Sequence, residues 1–184
     1  MAFDPMLGWA ESVRLRDGRC VLIRPARRSD AEQVQAFVRG LSATSRRERF
    51  FLAYRELPPS LLERIVDADR QHGVSLVALS ASGGAGVAVV GLAQYGVEST
   101  SDAAEVAVVV GERWRRAGLA TRLLLGLAEF ATAKGLQRVH AEILLENTAA
   151  LKLAATFGAY IGRSSAGANV VRAYVTLTAA QLCC

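Results

Sequence analysis

A strand of nearly pure valine, followed by a turn and a long helix, constrains this chain more than any other feature. Residues 106–110 carry four valines in five positions, and residues 118–134 place large apolar side chains on one side of a helix. Gly135 is well placed to end that helix. A strand that feeds a helix through a turn of small residues leaves backbone N–H groups unpaired at the helix start. With the positive end of the helix dipole, these groups predict an anion site.

The side chains of the turn favour the same interpretation. Gly118 and Ala120 have little or no side chain, so a phosphate could approach the backbone closely. Arg113, Arg115 and Arg116 supply charge and paired donors suited to phosphate oxygens. No Ser, Thr, Asp or Asn stands immediately before Gly118 as an ordinary cap, and arginines there oppose the helix dipole. The alternative is a basic, solvated helix start that holds no ligand.

The remaining patterns predict one mixed sheet with helices. Asp17-Gly18 is a signal for a two-residue hairpin turn between strands over residues 12–17 and 19–24. We expect further strands over residues 74–79, 87–97, 103–110, 138–145, 159–162 and 169–177, and helices over residues 30–41, 45–52, 60–66, 118–134 and 147–157. This order is typical of an α+β fold: a central, mostly antiparallel mixed sheet of about six or seven strands flanked by four or five helices. We expect a loose tail over residues 1–11 and a single domain over residues 12–184.

Composition narrows the function classes. The 184 residues are 52% hydrophobic and 21% charged, which suits a globular domain with a sizeable core. The net charge of +5 favours polyanionic partners, but the arginines are scattered and form no aromatic-and-basic stripe, so nucleic-acid binding rests on charge alone. Three cysteines, two of them at the C-terminus, predict neither a disulfide framework nor a metal site. With no signal peptide and no apolar run of about 18 residues, we expect a cytoplasmic protein without a membrane partner.

Two other nucleotide-binding motifs are excluded. No Gly-x-x-x-x-Gly-Lys-Ser/Thr string occurs, so there is no Walker A loop. The string Gly83-Gly84-Ala85-Gly86 precedes a strand instead of opening a helix, which favours a hairpin loop over a dinucleotide turn.

The turn also carries a family resemblance. The string Arg115-Arg116-Ala117-Gly118-Leu119-Ala120 matches the Gln/Arg-x-x-Gly-x-Gly/Ala signature of the GNAT superfamily of N-acetyltransferases. Residues 146–151, followed by Phe157-Gly158, resemble the next strand-to-helix unit of that family, so the likeness covers residues 12–178. Four segments of the N-terminal half are similar to the catalytic domain of bacterial Pat-type protein lysine acetyltransferases: Leu15-Arg16-Asp17-Gly18, Ile23-Arg24-Pro25, Leu41-Ser42 with Ser45-Arg46, and Arg49-Phe50-Phe51.

The resemblance implies acetyl-coenzyme A as co-substrate, no metal, and a primary amine, either a protein lysine or a small molecule, as acceptor. The backbone of Val108, Val109 and Val110 would lie along the pantetheine arm, and Asn147 would contact that arm from the opposite side. The pyrophosphate would be held by Arg115, Arg116, Ala117, Gly118, Leu119, Ala120 and Thr121.

The same resemblance makes Glu105 the general base. Partial burial beside valine and alanine side chains would make this carboxylate a better proton acceptor. Its alternative role is a strand-end carboxylate in a surface ion pair. Glu142 is a rival base, although pairing with an arginine is favoured for it, and His140, on the same alternation face as Glu142, is expected to pack or hydrogen-bond.

The chain departs from the family at Ala154. Many members place a tyrosine seven residues after the helix-start asparagine, where it protonates the leaving thiolate. Tyr160, Tyr174 or water could replace it, or the thiolate could leave unassisted. A catalytically silent acyl-coenzyme A-binding regulatory module is therefore a second hypothesis, and a monomer or a homodimer fits either one.

Overall fold

A computed structural model describes residues 8–52, 54–67, 73–81, 86–97 and 103–177. The eight strands of the described residues are β1 (Glu11–Arg14), β2 (Cys20–Pro25), β3 (Gly73–Ser80), β4 (Ala88–Val97), β5 (Ala103–Val110), β6 (Arg138–Leu144), β7 (Tyr160–Arg163) and β8 (Val170–Thr176). The α-helices are α1 (Ala31–Gly40), α2 (Ala43–Phe50), α3 (Pro59–Val66), α4 (Leu119–Ala133) and α5 (Thr148–Thr156). Short 3-10 turns cover Arg28–Asp30 and Glu112–Trp114.

The strands form one sheet in the order β1-β2-β3-β4-β5-β6-β8-β7. Every neighbouring pair is antiparallel except β5 and β6, which run parallel. The predicted mostly antiparallel α+β architecture is therefore confirmed. All eight predicted strand segments join the sheet, which we expected to hold about six or seven strands. The connection between the predicted strands 87–97 and 103–110 and most of the glycine-rich loop at residues 83–86 lie outside the described residues.

The two faces of the sheet carry different helices. On one face, Leu119, Leu123 and Leu127 of α4 are almost fully buried against the strands. On the other face, α1 and α3 bury side chains such as Val34 and Ile65. Because side chains alternate along a strand, each strand between these layers contributes to both cores.

The first hairpin forms where Asp17-Gly18 predicts it, but its loop is longer. The Leu15 N–H donates to the Arg19 carbonyl at 2.8 Å, so the loop holds three residues instead of two. Gly18 has φ 86°, the left-handed conformation that a three-residue loop requires near its end. The extra residue is Arg16, whose position matters for the site below.

Part of the expected N-terminal tail is packed against the domain. Residues 1–7 lie outside the described residues, whereas the Trp9 ring meets Phe130 at 5.3 Å and its Nε1–H donates to Glu129 at 3.0 Å. A Cβ on Gly126 would come within 3.0 Å of the Trp9 ring, so the tryptophan lies directly on the α4 backbone at this glycine.

Candidate active site

The sheet opens between its two parallel strands. β5 and β6 pair only at Ala103↔Arg138, Ala104↔Val139 and Glu105↔His140. After Glu105, β5 continues to pair with β4 and β6 continues to pair with β8, but the two strands no longer pair with each other. One edge of the segment 106–110 therefore faces a wedge-shaped gap, and alternate residues direct their N–H and C=O groups into it.

A pocket of about 320 Å³ occupies this gap. Its lining comes from α2, β5, α4, β6, α5 and β8, so it is bounded by elements from both sides of the sheet. Most of the lining is apolar, and the polar side chains in it are few: Glu48, Arg49, Glu105, His140, Glu142 and Asn147. A mostly apolar pocket with a small set of polar groups is the usual form of a small-molecule site.

Glu105, His140 and Glu142 lie on the same face of the sheet. Ala104 and Val139 point into the core under α4, so the residues that follow them point the other way, toward α2. Glu142 is two residues beyond His140 and keeps its direction. The structure thus brings together the two base candidates from the sequence and places the histidine beside Glu105.

Glu105 is exposed, so the predicted partial burial is wrong. Its partner in the β4–β5 register is Gly96, where a Cβ would meet nothing within 4 Å, and this missing side chain leaves the carboxylate open on that side. No hydrogen bond or ion pair to the Glu105 side chain forms among the described residues. A surface ion pair, the alternative role considered for this residue, is therefore absent from the part of the chain described here.

Arg49 is a pocket residue that the sequence did not single out. Burial lowers the pKa of its guanidinium to about 10, and the negative charge of Glu105 acts in the opposite direction. Its Nη2 donates to Gln94 Oε1, while its Nε is buried without a partner among the described residues. The fragment Arg49-Phe50-Phe51 indicated a family likeness, but no local signal showed that this arginine would face Glu105.

Glu142 pairs with an arginine, as the sequence favoured. Its Oε1 accepts a 2.5 Å hydrogen bond from Arg172 Nε, and only 8% of the carboxylate side chain is exposed. The buried Oε2 has no partner among the described residues. Cross-strand register explains the contact, because Glu142 and Arg172 are direct neighbours in the β6–β8 pair.

The turn before α4 has the geometry of an anion site. Arg116 and Gly118 have φ 61° and 89°, and no side chain caps the helix. The first hydrogen bond of the helix runs from the Arg122 N–H to the Gly118 carbonyl at 3.1 Å. The N–H groups of the three preceding helix residues, Leu119, Ala120 and Thr121, consequently have no acceptor in the described part of the chain.

The Arg115 side chain makes two hydrogen bonds within the protein. Its Nη2 donates to Ser45 Oγ at 2.7 Å, and its Nε lies 3.4 Å from the Val110 carbonyl oxygen. Ser45 Oγ in turn donates to Glu112 at 2.5 Å, and the Ser42 N–H donates to the same oxygen at 2.9 Å. Burial of the Glu112 carboxyl acts to raise its pKa, but these hydrogen bonds outweigh it and lower the pKa to about 2. Arg115 and Glu112 thus connect α2 to the turn, and 42% of the Arg115 side chain remains exposed.

A second arginine missed by the sequence takes a place beside the turn. The Arg16 N–H donates to the Ala117 carbonyl at 3.1 Å, and its side-chain Nε lies 3.7 Å from where a Cβ on Gly118 would stand. Arg19 holds the same hairpin against the 3-10 turn, because its guanidinium carbon lies 3.9 Å from the Trp114 ring centre. The Asp17-Gly18 signal located the hairpin, but only the tertiary structure brings it to the turn.

Asn147 begins α5 and also lines the pocket. Its Oδ1 accepts from the Ala150 N–H at 2.9 Å, which caps the helix. The side-chain amide N–H₂ has no acceptor among the described residues and is available to a ligand. Ala154 lines the pocket on the same helix, whereas Tyr160 and Tyr174 do not line it.

Over the described ranges, no helix is long and apolar enough to cross a membrane. The same residues include no group of three or more histidine, cysteine, aspartate or glutamate side chains that could hold a metal ion.

Comparisons with known proteins agree with the resemblance inferred from the turn. The sequence model of the acetyltransferase (GNAT) family matches residues 41–159. An acetyltransferase of Pseudomonas aeruginosa is 32% identical over 155 residues, which cover 84% of this chain and 81% of that protein.

Solved structures give the same result. The GNAT domain of S. lividans PAT is 28% identical, with a TM-score of 0.83 over 96% of this chain and 100% of that chain. A cAMP-binding acyltransferase from Mycobacterium smegmatis is 25% identical, with a TM-score of 0.63. That match covers 92% of this chain but only 48% of the mycobacterial chain, so the chain spans about half of that protein.

Proposed function

The chain belongs to the acetyltransferase (GNAT) family of acyltransferases, and from this premise we propose that it transfers the acetyl group of acetyl-coenzyme A to a primary amine. The proposal rests on one observation: the gap beside β5 leads directly to the turn before α4. A free edge of β5 runs over the five residues from Val106 to Val110, about 17 Å of extended chain, and the unpaired amides of α4 follow it.

These residues fit coenzyme A in two respects. The unpaired edge at Val108, Val109 and Val110 offers backbone groups that an extended amide-containing arm can bond as an added strand would. The turn offers the amides of Leu119, Ala120 and Thr121, with the positive end of the helix dipole, to a pyrophosphate.

Neighbouring side chains complete this proposed site. Arg116 and Arg16 would add positive charge at the turn, while Arg115 would hold the turn in shape through Ser45. Asn147 would donate from its free amide to the arm on the far side of the wedge.

Acetyl-coenzyme A would supply the activated acetyl group as a thioester. Glu105 would accept a proton from the incoming amine, because its carboxylate is exposed, unpartnered in the described residues and part of the pocket lining. Arg49 lies beside it in the pocket lining, and the opposite charges of the two side chains attract each other. With Glu142 paired to Arg172, the lining still has Glu48 and Glu105 against the single positive charge of Arg49. This excess of negative charge favours a cationic acceptor such as a lysine side chain.

A catalytically silent acyl-coenzyme A-binding module is the second candidate. The observation that favours it is Ala154, which puts a methyl group where many relatives carry the thiolate-protonating tyrosine. Such a module would keep the wedge and the turn and would bind the thioester without turnover.

Calorimetric titration with acetyl-coenzyme A, followed by a turnover screen over amines and lysine-containing proteins, tests the proposal. We expect saturable one-to-one binding and release of coenzyme A with at least one amine. Binding without release from any acceptor would favour the silent module, and absence of binding would contradict both.

A further inference from the structure

We propose that His140 donates the proton that converts the departing coenzyme A thiolate into a thiol. This inference rests on the proposed acetyl transfer. It identifies a general acid for the step in which Ala154 cannot act, because an alanine side chain has no proton to donate.

The first support is an unsatisfied buried group. His140 is only 6% exposed, and its Nε2 is buried without a hydrogen-bond partner among the described residues. Leaving such a group unpaired is unfavourable, so an unpaired buried nitrogen in a native site calls for an explanation. Because His140 lines the pocket, a ligand atom in the wedge can supply the missing partner.

The second support is position. His140 pairs with Glu105 in the last rung before β5 and β6 separate, so it stands at the closed end of the wedge. Ala154 lines the same pocket, and its short side chain leaves room between α5 and β6. A donor on β6 can therefore serve the space that a tyrosine on α5 would otherwise fill.

The other candidate acids fit less well. The ring of Tyr160 is on the protein surface with 73% exposure, and neither it nor Tyr174 lines the pocket. Glu142 lines the pocket, but its carboxylate already accepts a hydrogen bond from Arg172. Histidine both donates and accepts near neutral pH, which suits a group that must be recharged in every cycle.

The reaction balances with these residues. The amine nitrogen forms a bond to the acetyl carbon, the carbon–sulfur bond breaks, and its electron pair leaves on sulfur. Glu105 takes a proton from the amine and His140 gives a proton to sulfur. A proton then passes from Glu105 to its neighbour His140, directly or through water, and the pair is restored.

Several charged and titratable groups face His140, and each of them contributes to the pH dependence measured at this site. Glu105 lies on β5, Arg49 and Glu48 on α2, and Glu142 on β6 itself. On β8, the Tyr174 ring lies 6.2 Å from the imidazole, and Arg172 is bonded to Glu142. The negative charges of the carboxylates disfavour a thiolate in this pocket. Loss of a hydrogen-bond donor to the sulfur should therefore change the pKa of the bound thiol measurably.

The test uses free coenzyme A and needs no acceptor. The thiolate of bound coenzyme A is followed by its ultraviolet absorbance through a pH titration, in the wild-type protein and in His140→Phe. Phenylalanine keeps a ring against Tyr174 but cannot donate to sulfur. We expect the thiolate to appear about one pH unit higher in the variant, because the donor that stabilises it is gone.

Two further variants separate the proton donor from a packing effect. His140→Gln keeps an N–H donor near the same place and should give an intermediate midpoint. Ala154→Tyr in the His140→Phe background supplies a new hydroxyl from α5 and should move the midpoint back toward the wild-type value.

The outcomes distinguish this inference from the proposed function. If wild-type protein binds no coenzyme A, the proposed function itself fails. If all variants bind coenzyme A and the thiolate titrates identically in wild type and His140→Phe, the assignment of His140 is overturned. A midpoint that the tyrosine does not restore would also count against it.

Discussion

Glu105 and His140 form the last paired rung between β5 and β6, and the sheet opens immediately beyond them. An exposed carboxylate and a buried imidazole therefore stand side by side on one face of the sheet at the closed end of the wedge.

Glu105→Gln should retain acetyl-coenzyme A binding and lower turnover at neutral pH by about 10²–10⁴-fold, the usual contribution of a general base. The amide keeps the shape of the side chain but cannot accept the amine proton. Steady-state rates with the amine found in the screen, and calorimetry of the same preparations, provide the measurement.

Glu142→Gln is the matched comparison, because this carboxylate lines the same pocket but is bonded to Arg172. A small rate loss is expected there. A large loss at Glu142 together with near-normal turnover at Glu105 would reverse the assignment of the base.

Gly118→Glu should abolish measurable acetyl-coenzyme A binding. The new side chain would stand beside Arg16 at the start of α4 and place negative charge where the phosphates are proposed to bind. Calorimetry should show no saturable binding at acetyl-coenzyme A concentrations that saturate the wild-type protein.

Gly135→Glu provides the control. Its φ of 78° resembles the 89° of Gly118, so both variants carry a similar backbone strain, but Gly135 follows the other end of α4. Equal loss of binding in the two variants would attribute the effect to strain and remove the support for an anion site at the turn.

Glu112→Gln should destabilise the protein at pH 7 and matter less in acid. The folded protein lowers the pKa of this carboxyl from 4.5 to about 2, so its ionised form stabilises the fold above pH 4.5. That contribution declines as the pH falls from about 4.5 toward about 2. Urea unfolding of wild type and variant at pH 7 and pH 3.5 should show a smaller difference at the lower pH.

Glu32→Gln, an exposed position on α1, is the control for this measurement. A Glu112 effect that is constant with pH would mean that the hydrogen bonds from Ser45 and Ser42 do not depend on the charge of the carboxylate.

Asp30→Ala should cost about 3 kcal/mol of unfolding free energy, because it leaves the largely buried guanidinium of Arg24 without its partner. Asp30 accepts two 2.7 Å bonds from Arg24 and one of 2.8 Å from the Arg27 N–H, and 4% of its side chain is exposed. Burial acts to raise the pKa of Asp30, yet these bonds keep it below its usual value, so this stabilisation too is lost in acid.

The exposed pair between Arg28 and Asp67 offers a comparison in chemical denaturation. Asp67→Ala removes an ion pair whose side chains are 80% and 49% exposed, and we expect almost no change in stability. If the two alanine variants lost similar amounts of unfolding free energy, burial would not explain the stabilisation by the Asp30 ion pair.

Local signals in the sequence determined the elements and the turn. The valines of residues 106–110, the turn at Gly118 and the apolar side of α4 lie next to one another in the chain, so strand, turn and helix could be predicted from spacing and steric preference alone. Asn147 was located in the same way, since an asparagine before an apolar helix is a common cap.

Contacts between distant segments were decided only by the tertiary structure. Strand register determines where β5 and β6 separate and which residue pairs with Glu142. The way in which the first hairpin contacts the turn determines the position of Arg16 beside Gly118. From the sequence, Glu105 could be proposed as the base, but its exposure was predicted wrongly. That exposure is due in part to the absence of a side chain at Gly96 on the neighbouring strand. Pairing between strands far apart in the chain leaves no periodic trace in either strand alone, and for this reason His140 and Arg49 emerged as pocket residues only in the folded protein.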